Sequence, residues 1–169
     1  VRACGATHVL VGHAERRARG DTSPLIVEKI THALSQGLTP LLCVGEKERD
    51  PEGAYLSLVR DQITSALSPF SPQERAHVLL AYEPLWAIGR HAENAINPSD
   101  LTEMVLYSRK VLADLFPGKN TARTKVLYGG SVSPDTIRGL AAVSAVDGFL
   151  IGRASTNATH FAELLRELS

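Results

Sequence analysis

Thr39-Pro40-Leu41-Leu42-Cys43-Val44-Gly45 is the run on which the fold turns. Its apolar residues follow one another without alternation, so a strand here is buried on both faces, as in parallel sheets covered by helices. Just upstream, Ser23-Pro24 reads as an N-cap followed by proline at the first helical position. Ile26, Ile30, Ala33 and Leu34 then recur at helical spacing, and Gly37 closes that helix. Further upstream, Thr7-His8-Val9-Leu10-Val11 is another β-rich run, ending in Gly12.

The same alternation continues downstream. Leu56, Val59, Ile63 and Leu67 form a helical stripe after the Pro51-Glu52-Gly53 turn, and His77 to Tyr82 reads as a strand. Pro98-Ser99-Asp100 opens a helix carrying Leu101, Met104, Val105, Ser108 and Leu112. Lys125 to Tyr128 is a strand ending in Gly129-Gly130, Thr136 to Leu140 a short helix, Gly148 to Ile151 a strand, and Phe161 to Leu168 a final helix. Strands alternating with helices predict an α/β chain built on a parallel sheet. An open doubly wound fold and a (β/α)8 barrel fit that pattern equally well. No linker, low-complexity stretch or charge block interrupts it, so residues 1–169 are expected to form one domain.

Hydrophobic residues make up 44% of the 169, charged residues 21%, and 18 Lys and Arg balance 18 Asp and Glu. That is the balance of a globular protein with a sizeable core. Without a basic stripe, a nucleic-acid partner has no electrostatic support. The apolar runs are too short for a membrane span. Cys4 and Cys43 are the only cysteines, which makes neither a disulfide framework nor a metal knuckle and points to a reducing, cytoplasmic setting. The chain begins at Val1 and reads as though it starts in mid-protein.

Polar residues and glycines collect just past the strand ends, as Gly12-His13-Ala14-Glu15, Gly45-Glu46, Glu83-Pro84, Gly129-Gly130-Ser131 and Gly152-Arg153. Parallel α/β folds of both kinds carry their active sites at that edge, which marks the chain as an enzyme. Glu83 follows an apolar strand directly; a carboxylate at the rim of an apolar core has its pKa raised and suits a general base, although a helix cap or an ion pair reads as well from position alone. His13 precedes a candidate first helical turn, where the helix dipole disfavours imidazolium and a neutral ring can donate to a carbonyl oxygen; taken alone it also reads as a turn histidine. The remaining histidines, His160 among them, read mostly as solvated. The two glycine turns after the last strands read together as a phosphate cradle, since glycine lets backbone N–H groups approach an anion. Each alone is also what a tight turn needs sterically.

Several of these stretches resemble the triosephosphate isomerase family. Gly12-His13-Ala14-Glu15-Arg16-Arg17 is similar to its G-H-S-E-R-R, and Ala81-Tyr82-Glu83-Pro84-Leu85-Trp86-Ala87-Ile88-Gly89 to A-Y-E-P-V-W-A-I-G. Tyr128-Gly129-Gly130-Ser131-Val132 matches Y-G-G-S-V, Asp147 to Ser155 resembles D-G-A-L-V-G-G-A-S, and Leu41 to Glu46 looks like I-L-C-V-G-E. They occur in family order across nearly the whole chain.

The resemblance implies a (β/α)8 barrel of which this chain carries about five βα units, the first three strands being absent. It implies a cofactor-free, metal-free isomerase of glycolysis and gluconeogenesis, a homodimer in its full-length form, acting on a small phosphorylated sugar. Glu83 would be the proton-shuttling base, His13 the neutral electrophile and Glu15 a supporting acid or a structural ion-pair partner. Gly89, Ser131, Gly152 and Arg153 would offer backbone N–H groups to the phosphate, and Pro84-Leu85-Trp86 would hinge a lid. The chain departs from the family in lacking its early asparagine and lysine, in Ala14 for serine, in a longer lid from Gly89 to Pro98, and in Arg153 for glycine. At Arg153 a backbone N–H survives, and the side chain is expected to turn away from the ligand. The altered lid leaves room for a related isomerase of a four-carbon ketose phosphate, and the missing strands for a non-catalytic phosphate-binding half-barrel.

Overall fold

Each apolar run does form a strand. The computed structural model describes residues 1–88, 96–115, 124–143 and 145–168. Strand β1 (His8–Val11) leads into α1 (Ala14–Ala18) and α2 (Ser23–Ser35), and β2 (Thr39–Val44) into α3 (Ala54–Leu67) and α4 (Pro72–Arg75). Strand β3 (Leu79–Tyr82) leads into α5 (Pro98–Leu115), β4 (Val126–Tyr128) into α6 (Pro134–Ala141), and β5 (Gly148–Phe149) into α7 (Ala158–Arg166).

The strands lie in the order β1-β2-β3-β4-β5, and every neighbouring pair is parallel. A doubly wound sheet reverses its strand order at a switch point. Here the order never reverses, so every crossover steps the same way, as it does around a barrel. The fold is therefore α/β, an incomplete (β/α)8 barrel of five strands, with β1 and β5 each paired on one side.

Register explains why the runs are apolar throughout. Val11 is level with Leu42, Leu42 with Leu80, Leu80 with Val126, and Tyr82 with Tyr128; this row faces the helices and is buried in the main core with Ile30, Ile63, Leu101 and Met104. The alternate residues Leu41, Cys43, Ala81 and Leu127 share the opposite, barrel-interior face and pack with Leu79 and Leu150. Leu10 belongs to that face and is 50% exposed on edge strand β1. Truncating a leucine such as Leu42 or Leu80, both fully buried, to alanine costs about 2–5 kcal/mol.

Some boundaries differ from the sequence expectation. The N-cap of α2 is Thr22, with Ser23 already helical. His77 precedes β3, because α4 and its Ser71–Glu74 capping box occupy the approach to that strand. Strand β5 is only Gly148–Phe149; Ile151 falls beyond it, and Arg153–Thr156 form a single 3-10 turn.

Candidate active site

At the C-terminal rim the interior row continues beyond the strands. Cys43 is level with Ala81 and Ala81 with Leu127, so two residues on, Gly45, Glu83 and Gly129 stand abreast. A methyl on Gly45 would come within 1.9 Å of the Glu83 carbonyl oxygen, and one on Gly129 within 2.8 Å of Glu83 Cγ. Glycine on both neighbouring strands therefore makes the space for this one glutamate. Its backbone is held by N–H donation to Val44 O at 2.7 Å, while Gly129 N–H donates to Tyr82 O at 2.8 Å.

Glu83 is 3% exposed, and burial pushes its carboxyl above the ordinary carboxylate range. His13, the Cys43 thiol, the Ala14 N–H and Arg17 each favour the ionised form and offset part of that shift. Arg17 is itself fixed, donating to Gly12 O at 2.7 Å and to Cys43 O at 3.2 Å. These bonds tie the end of β1 to the end of β2. Gly12, at φ 74°, turns the chain there, and an added Cβ would meet the guanidinium at 3.0 Å.

His13 is the N-cap of α1; its Nδ1 accepts the Glu15 N–H at 3.4 Å. With Nδ1 turned to that N–H, Nε2 is the ring nitrogen presented to the cavity. That Nε2 lies 3.6 Å from Glu83 Oε1, too far for a hydrogen bond and close enough for both to meet one small ligand.

Both open into a cavity of about 650 Å³ whose wall includes Glu15, Ser131, Gly152, Arg153 and His160. The structure thus brings together all the expected site residues except Gly89, which lies outside the described residues, as does the lid to residue 95. Glu15 is exposed on the wall and makes no arginine pair among the described residues. His160 is half-buried on that wall, where α7 begins. The glycines differ in kind. A Cβ on Gly130 would come within 2.1 Å of the Tyr128 hydroxyl, whereas one on Gly152 would meet nothing within 4 Å. Sterics alone thus demand glycine at 129 and 130, and packing does not demand it at 152.

Glu46 is the polar residue past β2 that ends the Leu41–Glu46 stretch similar to I-L-C-V-G-E. It is fully buried, and its Oε1 accepts from the Tyr82 hydroxyl at 2.8 Å and the Trp86 indole N–H at 2.7 Å. Arg49 lies near the same oxygen and stacks 5.0 Å from the Tyr55 ring centre and 5.4 Å from that of Trp86. With Leu85 N–H donating to Glu46 O at 2.8 Å, this cluster fixes the chain just after Glu83. A charged residue directly after an apolar strand was the available signal; its partner forty residues away was not visible.

No helix among the described residues is long and apolar enough to cross a membrane. Comparison with known proteins agrees with the geometry. Triosephosphate isomerase from Roseiflexus castenholzii is 39% identical over 171 residues, covering 100% of this chain and 66% of that protein. Triosephosphate isomerase from Caldanaerobacter subterraneus subsp. tengcongensis is 39% identical over 163 residues, 95% of this chain and 65% of the relative. The Chlamydia trachomatis protein of the same name is 37% identical over 166 residues, 97% of this chain and 59% of the relative. The chain therefore spans about two thirds of the length of these relatives or less. The triosephosphate isomerase family profile matches residues 1–168, and the chain belongs to that family.

Proposed function

We propose that the protein carrying this chain interconverts D-glyceraldehyde 3-phosphate and dihydroxyacetone phosphate. The observation that carries the reading is the pairing of Glu83 and His13: a buried carboxylate with a raised pKa and an imidazole whose Nε2 lies 3.6 Å from it on one cavity wall. A base needs a pKa near working pH, and burial moves Glu83 towards it. Glu83 removes the proton from the carbon next to the carbonyl, His13 Nε2–H donates to the oxygen that gains charge, and Glu83 returns the proton to the neighbouring carbon. The phosphate lies against Ser131, Gly152 and Arg153, with Glu15 supporting the His13 turn, and the family resemblance adds the backbone N–H of Gly89.

Residues 1–169 are read as one domain of a longer barrel whose first three strands lie outside the chain. The family resemblance supports a homodimer acting in glycolysis and gluconeogenesis without a cofactor. Two free cysteines, one exposed and one buried, support a cytoplasmic setting. The direct experiment incubates the protein from its complete reading frame with dihydroxyacetone phosphate in deuterated water. Aldose formation with deuterium at the carbon next to the carbonyl is expected, and both are lost in Glu83→Gln. Wild-type protein that neither forms aldose nor exchanges that hydrogen overturns the reading.

A further inference from the structure

Among the described residues, Arg153 is the only lysine or arginine on the cavity wall. The wall also carries the carboxylates of Glu15 and Glu83, so an anionic ligand entering this space meets like charge on one side. The arginines Arg16, Arg49, Arg109 and Arg138 each pair with a carboxylate, at 3.2, 3.5, 2.6 and 2.9 Å respectively. Arg153 has no such partner among the described residues. Its backbone is nevertheless well held. Ser155 N–H and Oγ both donate to Gly152 O, at 3.0 and 2.7 Å, and Thr156 Oγ1 donates to Arg153 O at 2.8 Å. A held backbone with an uncommitted guanidinium on the wall of an anion-binding cavity is a ligand group waiting for its ligand.

We propose that the Arg153 side chain, and not only its backbone N–H, binds the phosphate, reversing the expectation that it turns away. The proposal rests on the phosphate site proposed above and deepens it. A guanidinium offers two parallel N–H donors that match two oxygens of a phosphate dianion, and its charge offsets the carboxylates opposite. In a site relying on glycine N–H groups alone, affinity comes from neutral donors. Here a large share comes from a full charge, which makes binding steeper in ionic strength and selective for the dianion over neutral analogues.

The test titrates glycerol 3-phosphate, inorganic phosphate and glycerol calorimetrically into the protein from its complete reading frame, at two ionic strengths. Arg153 is exposed, so its variants should fold. Arg153→Gly and Arg153→Gln are expected to weaken glycerol 3-phosphate binding about tenfold to hundredfold and to flatten its salt dependence. Arg153→Lys should restore part of the affinity, because charge returns without the fork. Glycerol binding should not change. Unchanged affinity and salt dependence in Arg153→Gly, with wild type binding glycerol 3-phosphate, overturns this proposal alone. A wild type that binds no phosphorylated probe overturns the phosphate-isomerase reading along with it.

Discussion

Gly129 is empty so that Glu83 can be where it is. A methyl group on Gly129 would come within 2.8 Å of Glu83 Cγ and 3.2 Å of Oε1, closer than packed carbons tolerate. Gly129→Ala should therefore shift the carboxylate by a sizeable fraction of an ångström while leaving the sheet intact. Turnover is expected to fall about 10²-fold, the cost of misplacing a reacting group by that order. Near-normal turnover with an undisturbed melting transition would mean that Glu83 is not held in a critical position.

Replacing Glu83 with Gln keeps the shape and removes the basicity. In the complete protein, turnover should drop about 10²–10⁴-fold. The same variant tests the buried charge. Glu83 unfolded titrates near the ordinary 4.5, whereas burial raises its folded value. Between the two, the folded state holds the proton more tightly, so the stability this group contributes is present below 4.5 and lost as pH rises through the folded pKa. Glu83→Gln should thus be more stable than wild type at neutral pH and converge with it in acid. Denaturant titrations across pH check this; parallel stability curves would show that burial does not perturb the carboxyl.

His13→Gln loses the directed Nε2 donor. Removal of one donor to a developing oxyanion commonly costs 10²–10³ in turnover, and about that loss is expected here with modest change in substrate affinity. Steady-state kinetics on the variant decide it. A wild-type rate would leave His13 as the cap of α1 and nothing more.

Residues 1–169 expressed alone should be inactive and loosely packed. Among the described residues, strands β1 and β5 have unpaired edges, and Leu10 on the interior face is 50% exposed. Such edges favour association with other chains, and the interior face lacks the layers that fill a closed barrel. The lysine that the family resemblance implies after the first strand is also not on this chain. Binding of a hydrophobic dye together with absent turnover is expected. A cooperative, active monomer would refute it.

Local chemistry determined a good deal. Pro40 to Val44 and Leu79 to Tyr82 are apolar at successive positions, which commits them to strands buried on both faces wherever they lie. Glu83 and His13 stood out because an ionisable group directly after such a strand reaches the functional rim. Alternation of strand and helix decided the class, since it depends only on residue order.

Strand order, by contrast, is a relation between distant segments. The unreversed succession β1-β2-β3-β4-β5, which separates the barrel from a doubly wound sheet, was open until the strands paired. The same limit hid the reason for Gly129, whose missing side chain serves a glutamate on another strand, and the role of Glu46, buried against Trp86. It also hid the position of His160 on the cavity wall and the lack of a carboxylate partner for Arg153 among the described residues. A residue's own chemistry is written in the chain, but the space and charge around it are made by residues far away in sequence, and only folding brings them within a few ångströms.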